Sequence, residues 1–262
     1  GFYDKPIVVL DYASLYPSSI IEYNISYETL LKNNNDYRNL ENSRYNKVSY
    51  NIYSGKGKDK KQIDIRKCIF VEHFKDDLKE GDDINMVPNL NGKGIIPSLL
   101  QDLLQARSKA KKQMKATKDS FKKSVFNGKQ LALKITANSV YGYLGAKFSE
   151  LRFLDLASCT TSVGRDKIYF AKSEVEKNFE DCKVVYGDTD SVFIDVSERK
   201  ELKGKDRITS IQEAIKIGFQ MEKIFDNILR KPQKLEYEKV FCPFLIFSKK
   251  RYTGLKYEFD YK

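Results

Sequence analysis

The sequence predicts an α+β chain, on three observations. A wholly apolar run, Ile7-Val8-Val9-Leu10, lies near the start and ends in Asp11. A second run, Val184 to Ile194, places apolar and aromatic residues on both sides of Gly187-Asp188-Thr189-Asp190, the pattern of a β-hairpin with an acidic tip. Between the two, long stretches carry apolar residues at helical rather than alternating spacing.

Ile7–Leu10 suits a central strand covered on both faces. Asp11 at its end either presents a ligand from a fixed backbone or, like Ser14, caps the helix that follows. From about Leu31 to Lys67 the sequence turns polar and Asn/Lys-rich. There Val48, Tyr50 and Ile52 alternate with polar residues, Gly55-Lys56-Gly57 breaks the run, and Ile63 and Ile65 resume it. That predicts a peripheral hairpin with a mobile tip, outside the working parts.

Gly92-Lys93-Gly94-Ile95-Ile96-Pro97-Ser98 opens a long helix, with Leu99, Leu100, Leu103, Leu104 and Ala110 as its apolar stripe. Ten basic residues stand between Arg107 and Lys134 against one acid, Asp119. Unrelieved like charges at i,i+4 destabilise a helix, so a bias this one-sided implies an anionic ligand nearby. A second helix carries Lys134-Ile135-Thr136-Ala137-Asn138-Ser139-Val140-Tyr141-Gly142, beginning either at a Ser120 cap or after an Asn127-Gly128 turn. Lys134, Asn138 and Tyr141 share one face, a surface that grips something polar and stacks on something flat.

A further helix is expected within Leu151–Phe179. Ser210-Ile211-Gln212-Glu213 has the capping-box pattern and opens a supporting helix with Ile211, Ala214, Ile215, Gly218, Met221, Phe225 and Ile228 on its packed face. Strand-like runs follow at Leu235–Phe241, Pro243–Phe247 and Leu255–Phe259. Lys249-Lys250-Arg251-Tyr252, before a tight turn, is either a solvated hairpin or a phosphate-contacting edge.

Composition narrows the chemistry. A net charge of +11 and a pI near 9.2 point to a polyanionic partner, nucleic acid before membrane. No apolar run approaches the roughly 20 residues of a membrane helix, and the first residues do not form a signal peptide. Cys68, Cys159, Cys182 and Cys242 are scattered, which favours reduced thiols in an intracellular protein. His73 is the only histidine, so histidine-based hydrolase or zinc chemistry has almost nothing to stand on. The chain starts at Gly1 directly before a strand and reads as a piece of something longer. Asp188 and Asp190, two apart in an extended segment, are expected to point the same way. Two carboxylates held that close need a shared cation or proton, and in a basic chain this suggests a divalent metal that handles phosphates.

Taken together, the motifs resemble the polymerase core of family B DNA polymerases, and most closely the delta-like enzymes of eukaryotes and large double-stranded DNA viruses. Asp11 to Ser18 resembles motif A, Lys134 to Gly142 motif B, and Tyr186 to Ser191 motif C. Leu235 to Tyr252 resembles the segment after motif C. Gly94–Pro97 with Ala106–Lys111 resembles the start of the fingers helices, and Leu154–Ser158 through Gly164-Arg165 fits the same family.

The resemblance implies an antiparallel palm sheet backed by helices, with a helical fingers hairpin inserted. Residues 1–94 would be the first part of the palm with the polar insert around 31–67, 95–147 the fingers, and 148–262 the rest of the palm. A proofreading domain and most of a thumb would lie outside the chain, leaving synthesis weak or non-processive.

It also implies template-directed DNA synthesis from dNTPs on primer-template DNA, with two Mg²⁺ ions. Asp11, Asp190 and the Tyr12 carbonyl would be ligands, Asp188 a required but less direct neighbour, and Glu236 an accessory carboxylate. The Ser14 and Leu15 amides, Arg107, Lys111, Lys134 and Asn138 would bind the triphosphate. Tyr16 would exclude a 2′-hydroxyl and Tyr141 would lie against the nascent base pair. Lys249, Lys250, Arg251 and Tyr252 would hold primer and template. A sliding clamp or accessory subunits would act through parts of the parent protein not in this chain. The site of action would be intracellular, in the nucleus or at a cytoplasmic replication site. A dead scaffold would have lost these acids, and a two-metal nuclease needs neither a triphosphate clamp nor a tyrosine gate.

Overall fold

The computed structural model describes residues 1–31, 44–54, 60–72 and 92–259. His73, the Gly55-Lys56-Gly57 break and residues 32–43 of the Asn/Lys-rich stretch lie outside them. In chain order the elements are β1 (Phe2–Tyr3), β2 (Ile7–Tyr12), α1 (Leu15–Tyr23), β3 (Arg44–Ser54), β4 (Lys61–Glu72), α2 (Ile95–Ala116) and α3 (Ser120–Gly145). Then come α4 (Leu154–Asn178), β5 (Lys183–Asp188), β6 (Ser191–Asp195), α5 (Arg207–Ile228), β7 (Leu235–Ser248) and β8 (Arg251–Tyr257). The fold is α+β, and the chain divides into two compact units: Gly1–Leu15 with Gly164–Lys262, and Tyr16–Val163.

The first unit is built on a six-stranded antiparallel sheet in the order β1-β7-β2-β6-β5, with β8 against β7. Ile7 to Leu10 are fully buried in its middle, as a wholly apolar run should be. On one face α5 comes so close that a Cβ on Gly218 would meet the Tyr237 ring and Val8. The other face carries Ile7, Val9, Phe193, Phe241 and Phe244, with Tyr186 and Tyr252 packed against them. Two of the expected strands, Leu235–Phe241 and Pro243–Phe247, are one strand, β7; its register against β8 shifts where Pro243 lies, between Phe241 and Phe244.

The α5 cap is Asp206, whose carboxylate accepts from the Ile208 and Thr209 amides, and Ser210 is buried one turn inside the helix. An earlier acid captured the orphan amides that the capping-box reading had given to Ser210. The packed face of α5 is as expected through Phe225, but Ile228 is exposed at the last turn.

The second unit contains α1 beyond its first residue, the β3–β4 hairpin, the α2–α3 pair and the start of α4. Its core joins Ile20, Ile21 and Ile25 to Val48, Cys68 and Phe70 of the hairpin, and to Leu100, Ala137, Leu144, Leu156 and Cys159. In the stretch expected to be peripheral, Val48 is buried and Arg66 and Tyr50 both bond Asp155 of α4, whereas Ile63 and Ile65 are exposed; the buried run of β4, Cys68–Val71, lies just beyond that stretch.

The α2 and α3 helices pack on each other across a three-residue link, Thr117–Asp119. Asp119 caps α3 by accepting from the Phe121 and Lys122 amides, and Asn127-Gly128 runs through the helix without a turn. The cap therefore sits one residue before Ser120. Leu99, placed in the buried stripe of α2, is exposed, because the packed positions Ile96, Leu100 and Ala110 leave it to the side.

Candidate active site

The acids of the first unit are brought level by register. Asp11 on β2 faces Glu236 on β7 and Ser191 on β6, and Ser191 in turn faces Asp188 on β5. Directly opposed residues point to the same side of a sheet, so Glu236, Asp11, Ser191 and Asp188 form one row across four strands. Two bulges set that row. The register shifts at Val185 in β5, ahead of Asp188, and at Glu238 in β7, beyond Glu236, each adding one unpaired residue close to the acids. A one-residue slip turns side chains to the opposite face, so without these insertions Asp188 and Glu236 would face away from Asp11.

The tip of the β5–β6 hairpin differs from the expectation in one respect. Thr189 and Asp190 are the two turn residues, so strand alternation does not carry through from Asp188 to Asp190. Asp190 is placed by its backbone instead: its carbonyl accepts the Tyr12 amide at 2.8 Å. On the other side the Ala13 amide donates to the Lys234 carbonyl at 2.9 Å. The Tyr12 ring is buried, and its hydroxyl bonds the Lys167 carbonyl of α4 at 2.9 Å. The acid-bearing end of β2 is thereby fixed by both neighbouring strands and from beneath.

Asp188 is held by cations and amides of its own unit. The Lys250 ammonium bonds its carboxylate and also the Thr189 hydroxyl, at 3.0 Å to the latter. The Lys250 amide bonds the Tyr186 hydroxyl at 2.8 Å, and the Thr189 amide bonds Asp188 at 2.9 Å. Burial alone would raise the Asp188 carboxyl, but Lys250 and the Thr189 amide outweigh it and hold the group below its ordinary range. Lys250 itself adopts a left-handed backbone, φ 62°, at the β7–β8 turn, which is how its side chain returns toward the β5–β6 tip.

Glu236 is paired with Lys234 at 2.9 Å, and Lys234 also reaches Glu222 of α5 at 3.1 Å. Burial pulls the Lys234 ammonium down, and the two glutamates more than reverse it. Of the predicted DNA-contacting group, Lys250 and Tyr252 are engaged in this way with Asp188 and the aromatic face, whereas Lys249 and Arg251 are exposed at the turn.

The donors available to a metal are all hard oxygens. Neighbouring strands lie about 4.8 Å apart, so the Asp11 and Asp188 backbones, two strands apart, are separated by roughly 10 Å. Among the described residues no three histidine, cysteine or acidic side chains cluster closely enough to hold an ion. The Tyr12–Asp190 backbone bond brings the residue after Asp11 against Asp190. Magnesium is commonly held by one or two carboxylates with substrate phosphates completing its shell, so the donor set fits.

The second unit holds Tyr16, Arg107, Lys111, Lys134, Asn138 and Tyr141. Tyr16 and Tyr141 meet as a tilted ring pair, centroids 4.5 Å apart and planes inclined 39°. Arg107 of α2 bonds the Gln130 side chain of α3 at 3.4 Å, and Lys134 lies one turn beyond Gln130, so the two cations fall on adjoining stretches of the helix pair. Lys111 and Lys134 are exposed, as is Asn138. In the first unit, Ser14 adopts a left-handed backbone, φ 56°, and Leu15 begins α1, so both amides sit at a helix start.

Sequence reasoning did not find Ser191, Lys234, Glu222 or the pairing of Lys250 with Asp188. Ser191 carried a signal, its place in the hairpin after the second acid. The others depend on contacts distant in sequence.

The family model described as DNA polymerase family B matches residues 1–262. The DNA polymerase delta catalytic subunit of Caenorhabditis elegans is 38% identical over 97% of this chain, and that of Candida albicans is also 38% identical over 97%. The DNA polymerase of Pyramimonas orientalis virus is 36% identical over 99% of the chain. These alignments cover 20%, 21% and 24% of the respective relatives, so the chain spans about a fifth to a quarter of their length.

Proposed function

Because the chain belongs to DNA polymerase family B, we propose that it carries the catalytic centre of a DNA-directed DNA polymerase. It would transfer deoxynucleotides from dNTPs to a primer 3′ end on a DNA template. The observation that carries this reading is the oxygen-donor arrangement at the end of β2, with Asp11 level with Asp188 and the Tyr12 amide bonded to Asp190.

Asp11, Asp190 and the Tyr12 carbonyl would hold two Mg²⁺ ions. When bound, the ions supply the charge that activates the primer hydroxyl and offsets the leaving pyrophosphate. Asp188, already compensated by Lys250, would act on the electrostatics of the hairpin tip rather than as a direct ligand. Glu236 would be an accessory carboxylate tempered by Lys234. The Ser14 and Leu15 amides would meet the triphosphate as helix-start amides meet anions. Arg107, Lys111 and Lys134 would neutralise it, with Asn138 hydrogen-bonding beside them. Tyr16 would pack under the deoxyribose, leaving no room for a 2′-hydroxyl, and Tyr141, in ring contact with it, would lie against the new base pair. Lys249 and Arg251 would contact primer and template phosphates, with Lys250 and Tyr252 forming the base of that grip.

The partners under this reading are primer-template DNA and dNTP, with a clamp or accessory subunits engaged elsewhere in a longer protein. The site of action would be intracellular. A large DNA virus is the proposed source, supported by the Asn/Lys-rich composition and by a viral relative.

The test is primer extension with Mg²⁺ and dNTPs, comparing the parent protein with Asp190→Ala. Template-directed extension that vanishes in the variant, with primer-template binding retained, is the expected result. If both proteins bind primer-template and neither extends it, the centre is a scaffold and the reading fails. If the parent degrades the primer instead, the acids serve a nuclease.

A further inference from the structure

The loop between α3 and α4, residues 146–153, is pinned along its length yet turns a large apolar ring outward. The Phe153 amide bonds the Leu144 carbonyl at 2.9 Å, Ser149 bonds Ala146 at 3.2 Å, and Arg152 bonds Ser149 at 3.1 Å. The Leu151 amide donates to the Ser149 hydroxyl at 3.1 Å. From outside the loop, Tyr27 donates its hydroxyl to the Leu151 carbonyl and meets the Phe153 ring edge-on, centroids 5.5 Å apart. Within this frame Phe148 is 92% exposed.

A slack loop would fold such a ring onto its neighbours, and Tyr143 and Leu151 are exposed nearby. Here the backbone bonds hold it out. The Lys147 ammonium lies 5.3 Å from the ring centroid, over one face, and Arg152 is exposed on the same loop; Glu150 is its only acid. An apolar protein pocket closing on Phe148 would have to strip water from two cations. An unpaired nucleobase would not: its flat face meets the ring while its phosphates meet the cations.

We propose that Phe148 is a stacking platform for an unpaired base of single-stranded nucleic acid, with Lys147 and Arg152 as its phosphate contacts. Assigning that strand to the unpaired template rests on the polymerase reading above. The stacking itself does not, because every base offers a π-face.

The chain has no tryptophan, so Phe148→Trp introduces a single indole at the platform. Oligothymidylate titrated into this variant at low salt should quench its emission. Anisotropy of a labelled oligonucleotide should show binding weakened about tenfold by Phe148→Ala, in line with stacking measured at other single-strand sites. Phe148→Leu should fall with Ala, since it keeps the apolar area but not the flat ring, and Phe148→Tyr should bind like the parent. Circular dichroism confirms that each variant is folded, as expected for an exposed position. If the oligonucleotide binds but the indole stays unquenched and Phe148→Ala binds like the parent, the platform is refuted. If no variant binds the oligonucleotide, it is refuted as well. Primer extension by the parent protein decides the polymerase reading in either case, and Phe148→Trp combined with Asp190→Ala should lose extension while keeping the quench.

Discussion

Replacing Gly218 with alanine tests how closely α5 is seated beneath the acid row. The added carbon would lie 2.3 and 2.8 Å from Tyr237 ring carbons and 3.2 Å from a Val8 methyl. Carbons pack at about 3.5–4.0 Å, so relief requires the ring or the helix to move by about 1 Å or more. The ring is not at liberty to swing. Its hydroxyl donates to the Glu258 carbonyl at 2.5 Å, its face meets Phe219 at 4.7 Å, and the Tyr237 amide donates to Glu222 at 3.0 Å. Two effects oppose each other. Alanine is the better helix former by about 1 kcal/mol, whereas overpacking a core costs about 1–3 kcal/mol. With backbone and sheet on both sides, this contact belongs at or above the top of that range. The net loss is about 2 kcal/mol, and the melting temperature should fall by roughly 4–8 °C for a chain of this size. Urea denaturation followed by circular dichroism, with a thermal melt beside it, measures both. Tyr237 adjoins Glu236 and faces Leu10, so primer extension should also decline. A Gly218→Ala protein as stable as the parent would refute the close seating, because the helix preference would then be governing alone.

Lys250→Met should destabilise the first unit at neutral pH and much less in acid. The depressed Asp188 carboxyl contributes stability above its ordinary titration range, and this is lost as pH falls below about 4 and through the depressed value. The urea midpoints of parent and variant should therefore draw together as pH falls through the depressed value, and a gap independent of pH would show that the ion pair is not its cause. Phe70→Ala should cost about 3–5 kcal/mol in the second unit, since the ring is fully buried in the core beside Leu156 and Cys159. A loss below about 1 kcal/mol on denaturation would return the β3–β4 hairpin to the periphery.

The strands and helices were legible where a single period dominated. Ile7–Leu10 read as a buried strand because all four residues are apolar, and the packed face of α5 read correctly through Phe225 for the same reason. The errors arose where competing local signals were close in strength. Asp206 and Ser210 both suit a helix start, and only the chain path shows which one meets the orphan amides. The β3–β4 hairpin looked peripheral because its far end is polar and its Ile63 and Ile65 are indeed exposed, while its core contribution comes from Val48 and from the consecutive apolar run after Lys67. At the candidate site, sequence could name Asp11, Asp188 and Glu236 but not their alignment. That depends on one extra residue at Val185 and another at Glu238, and a bulge leaves no compositional trace. The Lys250 partnership with Asp188 was hidden for another reason, since 62 residues separate the two.

The anchoring of β2 also bears on how the protein fails. Tyr12 and Ala13 donate their amides to the carbonyls of Asp190, at the β5–β6 turn, and Lys234, just ahead of β7, at the end of a strand already paired with both neighbours. Strand ends normally fray, giving up their bonds at little cost while the rest of the sheet persists. This end has no such loose margin, because releasing Asp11 means parting β2 from β6 and β7 together. The acids should therefore remain in place until the sheet itself comes apart, and heat inactivation and loss of fold should arrive as a single event.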